Sequence, residues 1–235
     1  IKPEKSADHP QLIVDEPELR LVYMPSRYFG LEPKADITMI LRNPQAMDSA
    51  KSQVMFALND YLAGLALDQL SNQASVGGIS FSTNANNGLM VNANGYTQRL
   101  PQLFDALLQG YFSYTPTEEQ LEQAKSWYKQ MLDGAEKGKA YELAIMPIQM
   151  LSQVPYFERQ TRRELLPDIT LEDVLQYREQ LRHNSKPEFL IVGNMTAEAA
   201  TDLARAVKTQ LGTKGTEWCR NKEVLVDKPW HVNFE

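Results

Sequence analysis

The stretch ASVGGISFSTNANNGLMVNANGY, residues 74–96, leaves the backbone few paths. A pair of glycines, Gly77 and Gly78, releases the chain from what precedes it, and Ile79, Phe81 and Thr83 then point to one face. Residues 84–88 turn. Leu89, Val91 and Ala93 return with the period-two alternation of a strand that buries one side. Asn86, Asn87 and Gly88 suit the turn, because Asn and Gly tolerate positive φ with least strain. The reading is a β-hairpin.

Long amphipathic helices flank it. Before it, Ala50, Val54, Ala57, Leu58, Tyr61, Leu62 and Leu65 recur at helical spacing, which predicts a helix over 47–67 continuing toward Ser71, buried along one stripe. After it, Leu100, Leu103, Phe104, Leu107, Leu108 and Tyr111 repeat the stripe. Thr115-Pro116-Thr117-Glu118 reads as a helix start, with Thr115 as cap, Pro116 at the first helical position and Glu118 completing a capping box. Leu121, Ala124, Tyr128, Met131 and Leu132 then line the inner side of that helix.

Upstream, 11–14 and 20–24 read as two short strands about an Asp15-Glu16-Pro17 turn, and 34–41 as a third. Downstream, a helix is expected over 140–153, started or kinked by Pro147. Thr170-Leu171-Glu172-Asp173 opens another helix, carrying Val174, Leu175 and Leu181. Residues 189–192 form a short continuous apolar run, read as a central strand, and Thr196 caps a last helix that Gly212 stops. The expected fold class is α+β, a mostly antiparallel sheet covered by several long helices. One domain is expected over 1–212, and 213–235 is read as a linker and the first strand of a following domain. The chain opens at Ile1 without a Met and closes on an alternating strand-like segment, 230–235, so a piece of a longer chain is expected.

Composition removes several function classes. A net charge of −6 without a Lys/Arg stripe argues against nucleic acid as a partner. No apolar run approaches the roughly 20 residues of a membrane span, and 1–10 lacks a signal-peptide apolar region. Cys219 is the single cysteine, so an internal disulfide is impossible and the redox compartment stays open. The 43% hydrophobic content is that of a chain with a sizeable core.

The search for chemistry returns no active site. His9, His183 and His231 share no helix turn, so neither HExxH nor HxxEH occurs, and Cys219 cannot build a thiolate cluster. GxSxG, GxxxxGK[ST] and GxGxxG are missing too, and Gly77-Gly78 opens a strand rather than a helix. Glu118, Glu119 and Glu122 fall in the first turns of a helix, where carboxylates complement the dipole, and Glu122 with Lys125 is a routine helical pair. Arg159, Arg162 and Arg163 are flanked by Glu158 and Glu164 and read as a solvated helix face. Tyr61, Tyr128, Met131, Met146 and Met150 fall at helical spacing and read as core rather than as a cofactor box.

The order of elements, with SNQASVGGISFSTNANNGLMVNANGYTQRLPQLFDALL, PTEEQLEQAKSWYKQML and PEFLIVGNMT, resembles one repeat of the pitrilysin/insulysin family of zinc metallopeptidases. The resemblance covers nearly the whole chain and is to the third of the four domains of bacterial members, with 222–235 resembling the entry into the fourth. In that family an HxxEH zinc site lies on the long helix of the first repeat, and a further Glu ligand comes from the capped helix after the hairpin. The matching helices here, 47–67 and 117–132, offer Asp60, with Asp68 just beyond, but no histidine. No catalytic, cofactor-binding or metal residue therefore carries over to this chain.

The resemblance implies a non-catalytic domain in the C-terminal half of a zinc metalloendopeptidase, forming part of the wall of a closed chamber that degrades small peptides. Zinc is then a cofactor of the parent enzyme alone. The implied partners are the remaining domains of the parent chain and small peptides, with self-association of the isolated piece through its exposed apolar surface. A periplasmic location is implied by the bacterial members. The second reading is a stand-alone scaffold or peptide-binding module, like the inactive subunits of related processing peptidases.

Overall fold

The computed structural model describes residues 9–26, 32–85, 88–134 and 156–215. The expected helix over 140–153, the turn residues Asn86 and Asn87, and everything from residue 216 on lie outside these. Three strands come first: β1 Gln11–Glu16, β2 Leu19–Pro25 and β3 Lys34–Arg42. Helix α1, Ala50–Val76, leads into the hairpin strands β4, Ser80–Ala85, and β5, Gly88–Tyr96. Helices α2 Leu100–Ser113, α3 Glu118–Gly134, α4 Arg159–Leu165 and α5 Leu171–His183 follow. Strand β6, Lys186–Gly193, and helix α6, Ala197–Leu211, complete the described part.

The six strands form one sheet in the order β1-β2-β6-β3-β5-β4. Four of its pairings are antiparallel and one, β2 with β6, is parallel. The apolar run at 189–192 thus lies centrally, as expected, with Phe189 paired to Leu21 on one side and to Met39 on the other. One face is covered by helices. Leu21, Ile37, Met39, Leu41, Leu89, Val91, Phe189 and Ile191 point into that core, all at 1% exposure or less. Each is an alternate residue of its strand, the pattern that a single covered face imposes.

The hairpin forms, but its strands reach into the stretch 84–88 expected to turn: Asn84 and Ala85 pair with Met90 and Leu89, and Gly88 already belongs to β5. Gly77 caps α1, Gly78 takes φ +70, and Ile79, Phe81 and Thr83 turn inward while Ser80, Ser82 and Asn84 face solvent. Gly88, at φ +131, sits so close to β3 that a Cβ there would lie 1.9 Å from the Leu41 carbonyl oxygen, so only glycine fits.

Three further expectations need correction. Helix α1 does not bury a single stripe. Val54, Leu58 and Leu62 enter one core with α3 and the segment before α5, while Phe56, Ala63, Leu67 and Ala74 enter the sheet core. The helix lies between two cores, and Leu65, on neither side, is 43% exposed. It also runs to Val76, well past the expected end, because 68–76 contain no Gly or Pro to stop it. Secondly, the cap of α3 is Thr117, not Thr115. The Thr117 hydroxyl accepts from the Gln120 amide at 3.2 Å, and Gln120 Oε1 accepts from the Thr117 amide at 2.9 Å. The motif T-x-x-Q occurs one pair of residues after T-x-x-E, and Pro116 precedes the cap instead of following it. Thirdly, Met131 is 45% exposed and does not join the α3 core.

The start of α5 agrees with expectation. Thr170 Oγ1 accepts from the Asp173 amide at 3.1 Å and Asp173 Oδ2 accepts from the Thr170 amide at 2.9 Å. Helix α6 is capped by Thr196 and ends at Gly212, whose φ of +61 lets its amide reach the Lys208 carbonyl.

Candidate functional site on helix α1 and the open sheet face

The resemblance places the family's metal chemistry on the helix before the hairpin and on the capped helix after it, so the polar groups of α1 and α3 come first. Asn59 is completely buried on α1. Its Nδ2 donates to Tyr111 Oη at 3.2 Å, and its Oδ1 accepts from Tyr114 Oη at 2.9 Å. Tyr111 Oη in turn donates to Asp60 Oδ1 at 3.1 Å. Thr83, on the hairpin, also bonds the Asp60 carboxyl. Arg178 of α5 closes the network, donating to the Tyr114 carbonyl at 2.6 Å with its guanidinium 4.7 Å from the Tyr114 ring.

Burial sets the charge states. It raises the Asp60 carboxyl above its ordinary range, against the Thr83 and Tyr111 hydrogen bonds. It pushes Tyr114 up to about 12 and Tyr111 well above the usual phenol value, so both phenols stay neutral and able to donate. The cluster holds one carboxylate, one amide and two neutral phenols. That set does not fit zinc, which takes several His, Cys or carboxylate ligands. Among the described residues no group of three His, Cys, Asp or Glu side chains could hold a metal ion. The cluster ties α1, α2, α5 and β4 together.

The other sequence candidates scatter. His9 is exposed. His183 joins the ends of two helices, with Nε2 3.3 Å from Glu179 and Nδ1 3.3 Å from the Gly212 carbonyl. His231 and Cys219 lie outside the described residues. Asp68 is exposed, and Glu122 pairs with Lys125 at 3.0 Å. The arginines of α4 are only partly a solvated face: Arg163 meets Asp133 at 2.7 Å and Arg162 donates to Tyr128 at 3.4 Å, which fastens α4 to α3. Tyr128 is core, as expected, whereas Tyr61 is half-buried and stacks on Trp127 with 4.9 Å between ring centroids. Met146 and Met150 lie outside the described residues.

The second face of the sheet carries a surface that sequence reasoning missed. Cross-strand register puts Leu12, Val22, Leu190, Thr38, Asn92 and Ser82 in one row. Met24, Val192, Asp36, Asn94 and Ser80 form the next. The rows divide alike: apolar over β1, β2 and β6, polar over β5 and β4. Leu12 is 45% exposed and Leu190 39%. On the polar half Thr38 Oγ1 donates to Asn92 at 3.0 Å and Ser80 Oγ to Asn94 at 3.0 Å. In a third row Arg20 lies beside Glu188, at 3.6 Å, and Ile40 on its other side, while Arg42 reaches Glu188 diagonally at 3.0 Å. The signal was present in the apolar residues on both sides of β2 and β6, which a strand with one solvated face would not carry.

A helix, a Gly-Gly hairpin and two further helices over a mixed sheet define an α+β repeat of metallopeptidase type, here with no metal set among the described residues of the relevant helices. The chain belongs to the peptidase M16 family: the model for the "middle or third domain of peptidase_M16" matches residues 1–164. It is 74% identical over 235 residues to Protease 3 of Shigella flexneri, a match that spans all of this chain and 24% of that protein. The crystal structure of pitrilysin superposes with a TM-score of 0.93 at 75% identity, over 97% of this chain and 24% of that one. A peptidase M16 inactive domain from Pseudomonas fluorescens shares the fold, with a TM-score of 0.62 at 18% identity, over 91% of this chain and 53% of that one. The chain therefore spans about a quarter of the length of the Protease 3 and pitrilysin chains it matches.

Proposed function

We propose that this chain is a non-catalytic domain in the C-terminal half of a periplasmic zinc metalloendopeptidase that degrades small peptides inside a closed chamber. The observation that carries the reading is a pairing. The whole chain is 74% identical to Protease 3, yet the helices where the family resemblance looks for zinc ligands hold the Asn59–Asp60–Tyr111–Tyr114 network. Bound in another domain of the longer polypeptide, zinc would polarise the scissile carbonyl and activate water. This chain would contribute containment. Its open sheet face offers a peptide both a hydrogen-bonding half around Thr38, Asn92 and Asn94 and an apolar half around Leu12, Val22 and Leu190. Holding the substrate near the reacting groups is the part such a wall plays in the rate.

A stand-alone scaffold or peptide-binding module is the second reading. It draws on the Pseudomonas fluorescens structure, described as an inactive domain and sharing the fold. One experiment separates the two. The 235-residue chain, dialysed against zinc, should retain none by elemental analysis and cleave no fluorogenic peptide. Mixed with the remaining parts of the longer polypeptide, it should restore cleavage. Zinc-dependent turnover by the chain alone would overturn the proposal, and a mixture that stays inactive would favour the scaffold.

A further inference from the structure

On the helical side of the molecule, α1 and α3 share a second apolar surface. Tyr61 stacks on Trp127 at 4.9 Å, and Trp127 remains 39% exposed. One turn further along each helix lie Leu65, 43% exposed, and Met131, 45% exposed. Beneath this pair of ridges the core is already complete, with Leu58, Leu62, Ala124 and Tyr128 packed together. Of the four, Tyr61 packs against that core, whereas Leu65, Trp127 and Met131 stand outside it, and their exposure is unfavourable unless something covers them.

Their chemistry describes the cover. Tyr, Trp and Met are enriched at the centres of protein interfaces, where large rigid side chains lose little entropy on contact. On the 3.6-residue repeat, exposed Gln123 and Gln130 share the flank of Trp127 and Met131. The charged residues Lys125, Lys129 and Asp133 lie on the opposite flank and are satisfied by neighbours: Lys125 by Glu122 at 3.0 Å, Lys129 by Asp133 at 2.7 Å, and Asp133 also by Arg163 at 2.7 Å. The charged residues of α3 are thus paired, and on α1 the exposed Asp68 lies one turn beyond Leu65 on the same side, so the patch is apolar and rimmed by amides and one carboxylate.

We propose that the Tyr61–Leu65–Trp127–Met131 patch is an interdomain contact, covered by an apolar face of another domain of the same polypeptide. The choice of occupant follows from length. Protease 3 and pitrilysin contain this whole or nearly whole chain within 24% of their own, and the Pseudomonas fluorescens chain is matched over 53%, so the fold occurs beside at least as much further polypeptide again in the first two. The inference rests on the reading of the chain as one domain of a longer peptidase, but its test does not read zinc or turnover.

Oxidation of Met131 by hydrogen peroxide, followed peptide by peptide with mass spectrometry, reads the cover directly. In the 235-residue chain Met131 should oxidise as an exposed thioether. In the full-length polypeptide it should oxidise roughly tenfold more slowly, at every protein concentration. Equal rates in the two would overturn the proposal. So would slow oxidation in the short chain at all dilutions, which would mean that the chain covers its own patch. Protection that appears only on concentrating the short chain would identify a second copy as the occupant and overturn it as well. Trp127→Glu in the full-length polypeptide should return Met131 to the fast rate with the circular dichroism spectrum unchanged. If that variant fails to fold, the comparison of the two unsubstituted chains still decides.

Discussion

At the scale of single residues, the most constrained groups are those around Asp60. Tyr111 Oη both accepts from Asn59 and donates to Asp60. Tyr111→Phe strands a buried amide donor and removes one stabiliser of a buried carboxylate, which should lower stability by about 1–3 kcal/mol in urea unfolding. The carboxyl also sets a pH dependence. Burial holds Asp60 above the ordinary value of 3.8, so the folded chain binds that proton more tightly than the unfolded chain does. Stability contributed by the protonated form is then lost as pH rises through the window above 3.8. Asp173 runs the other way. Its hydrogen bonds to Lys51 and Thr170 hold it at about 2, so its contribution is present above 3.8 and lost as pH falls toward 2. Asp60→Asn should therefore remove the decline in urea midpoint between mildly acid pH and neutrality and leave the loss at lower pH in place. A decline of unchanged size would assign it to another group. None of this was legible in the sequence. Asp60 stood out there only as an acidic residue on a helix, because the groups that bond it, Thr83 and Tyr111, come from other elements.

At the scale of elements, local chemistry was the readable part. The hairpin, the Thr170 capping box, the Thr196 cap and the Gly212 stop depend on residues within a few positions of one another, and each stands in the structure. The exception is instructive. Around 115–120 two capping motifs overlap, T-x-x-E from Thr115 and T-x-x-Q from Thr117, and the structure uses the second. Thr117→Ala should cost about 1 kcal/mol of stability, the usual worth of a lost cap. Thr115→Ala should change thermal stability little, and the reverse ranking would restore the start first read from sequence. Helix α1 shows the limit of periodicity. A helix that enters two cores spreads its buried residues around the axis, so a search for one stripe finds Val54, Leu58 and Leu62, misses Phe56, Ala63 and Leu67, and wrongly includes Leu65. At 27 residues this helix is about 40 Å long and is the common wall of both cores.

At the scale of the whole molecule, the sheet has one face closed by helices and one divided into an apolar half over β1, β2 and β6 and a polar half over β5 and β4. Leu190→Lys on that second face should leave the thermal midpoint of the chain nearly unchanged, because Leu190 is 39% exposed and contributes little to the core. In the full-length peptidase the same change should raise KM for apolar peptides by several-fold with kcat held, if the face meets substrate. An unaltered KM would remove the apolar half from the chamber wall. The sheet's strand order also governs how the molecule can be made. During synthesis β1 and β2 leave the ribosome as one ribbon and β3, β4 and β5 as another, and among the described residues no strand pairing joins the two until β6 arrives. Leu21 waits for Phe189, and Met39 waits for the same residue. Contacts so distant in sequence form slowly, since the loop must close before they stabilise anything. Until 186–193 are free, the nascent chain carries two half-sheets with bare hydrogen-bonding edges, β2 and β3, side by side. Those edges are where a chaperone would bind, or where a strand from a neighbouring nascent chain would misjoin.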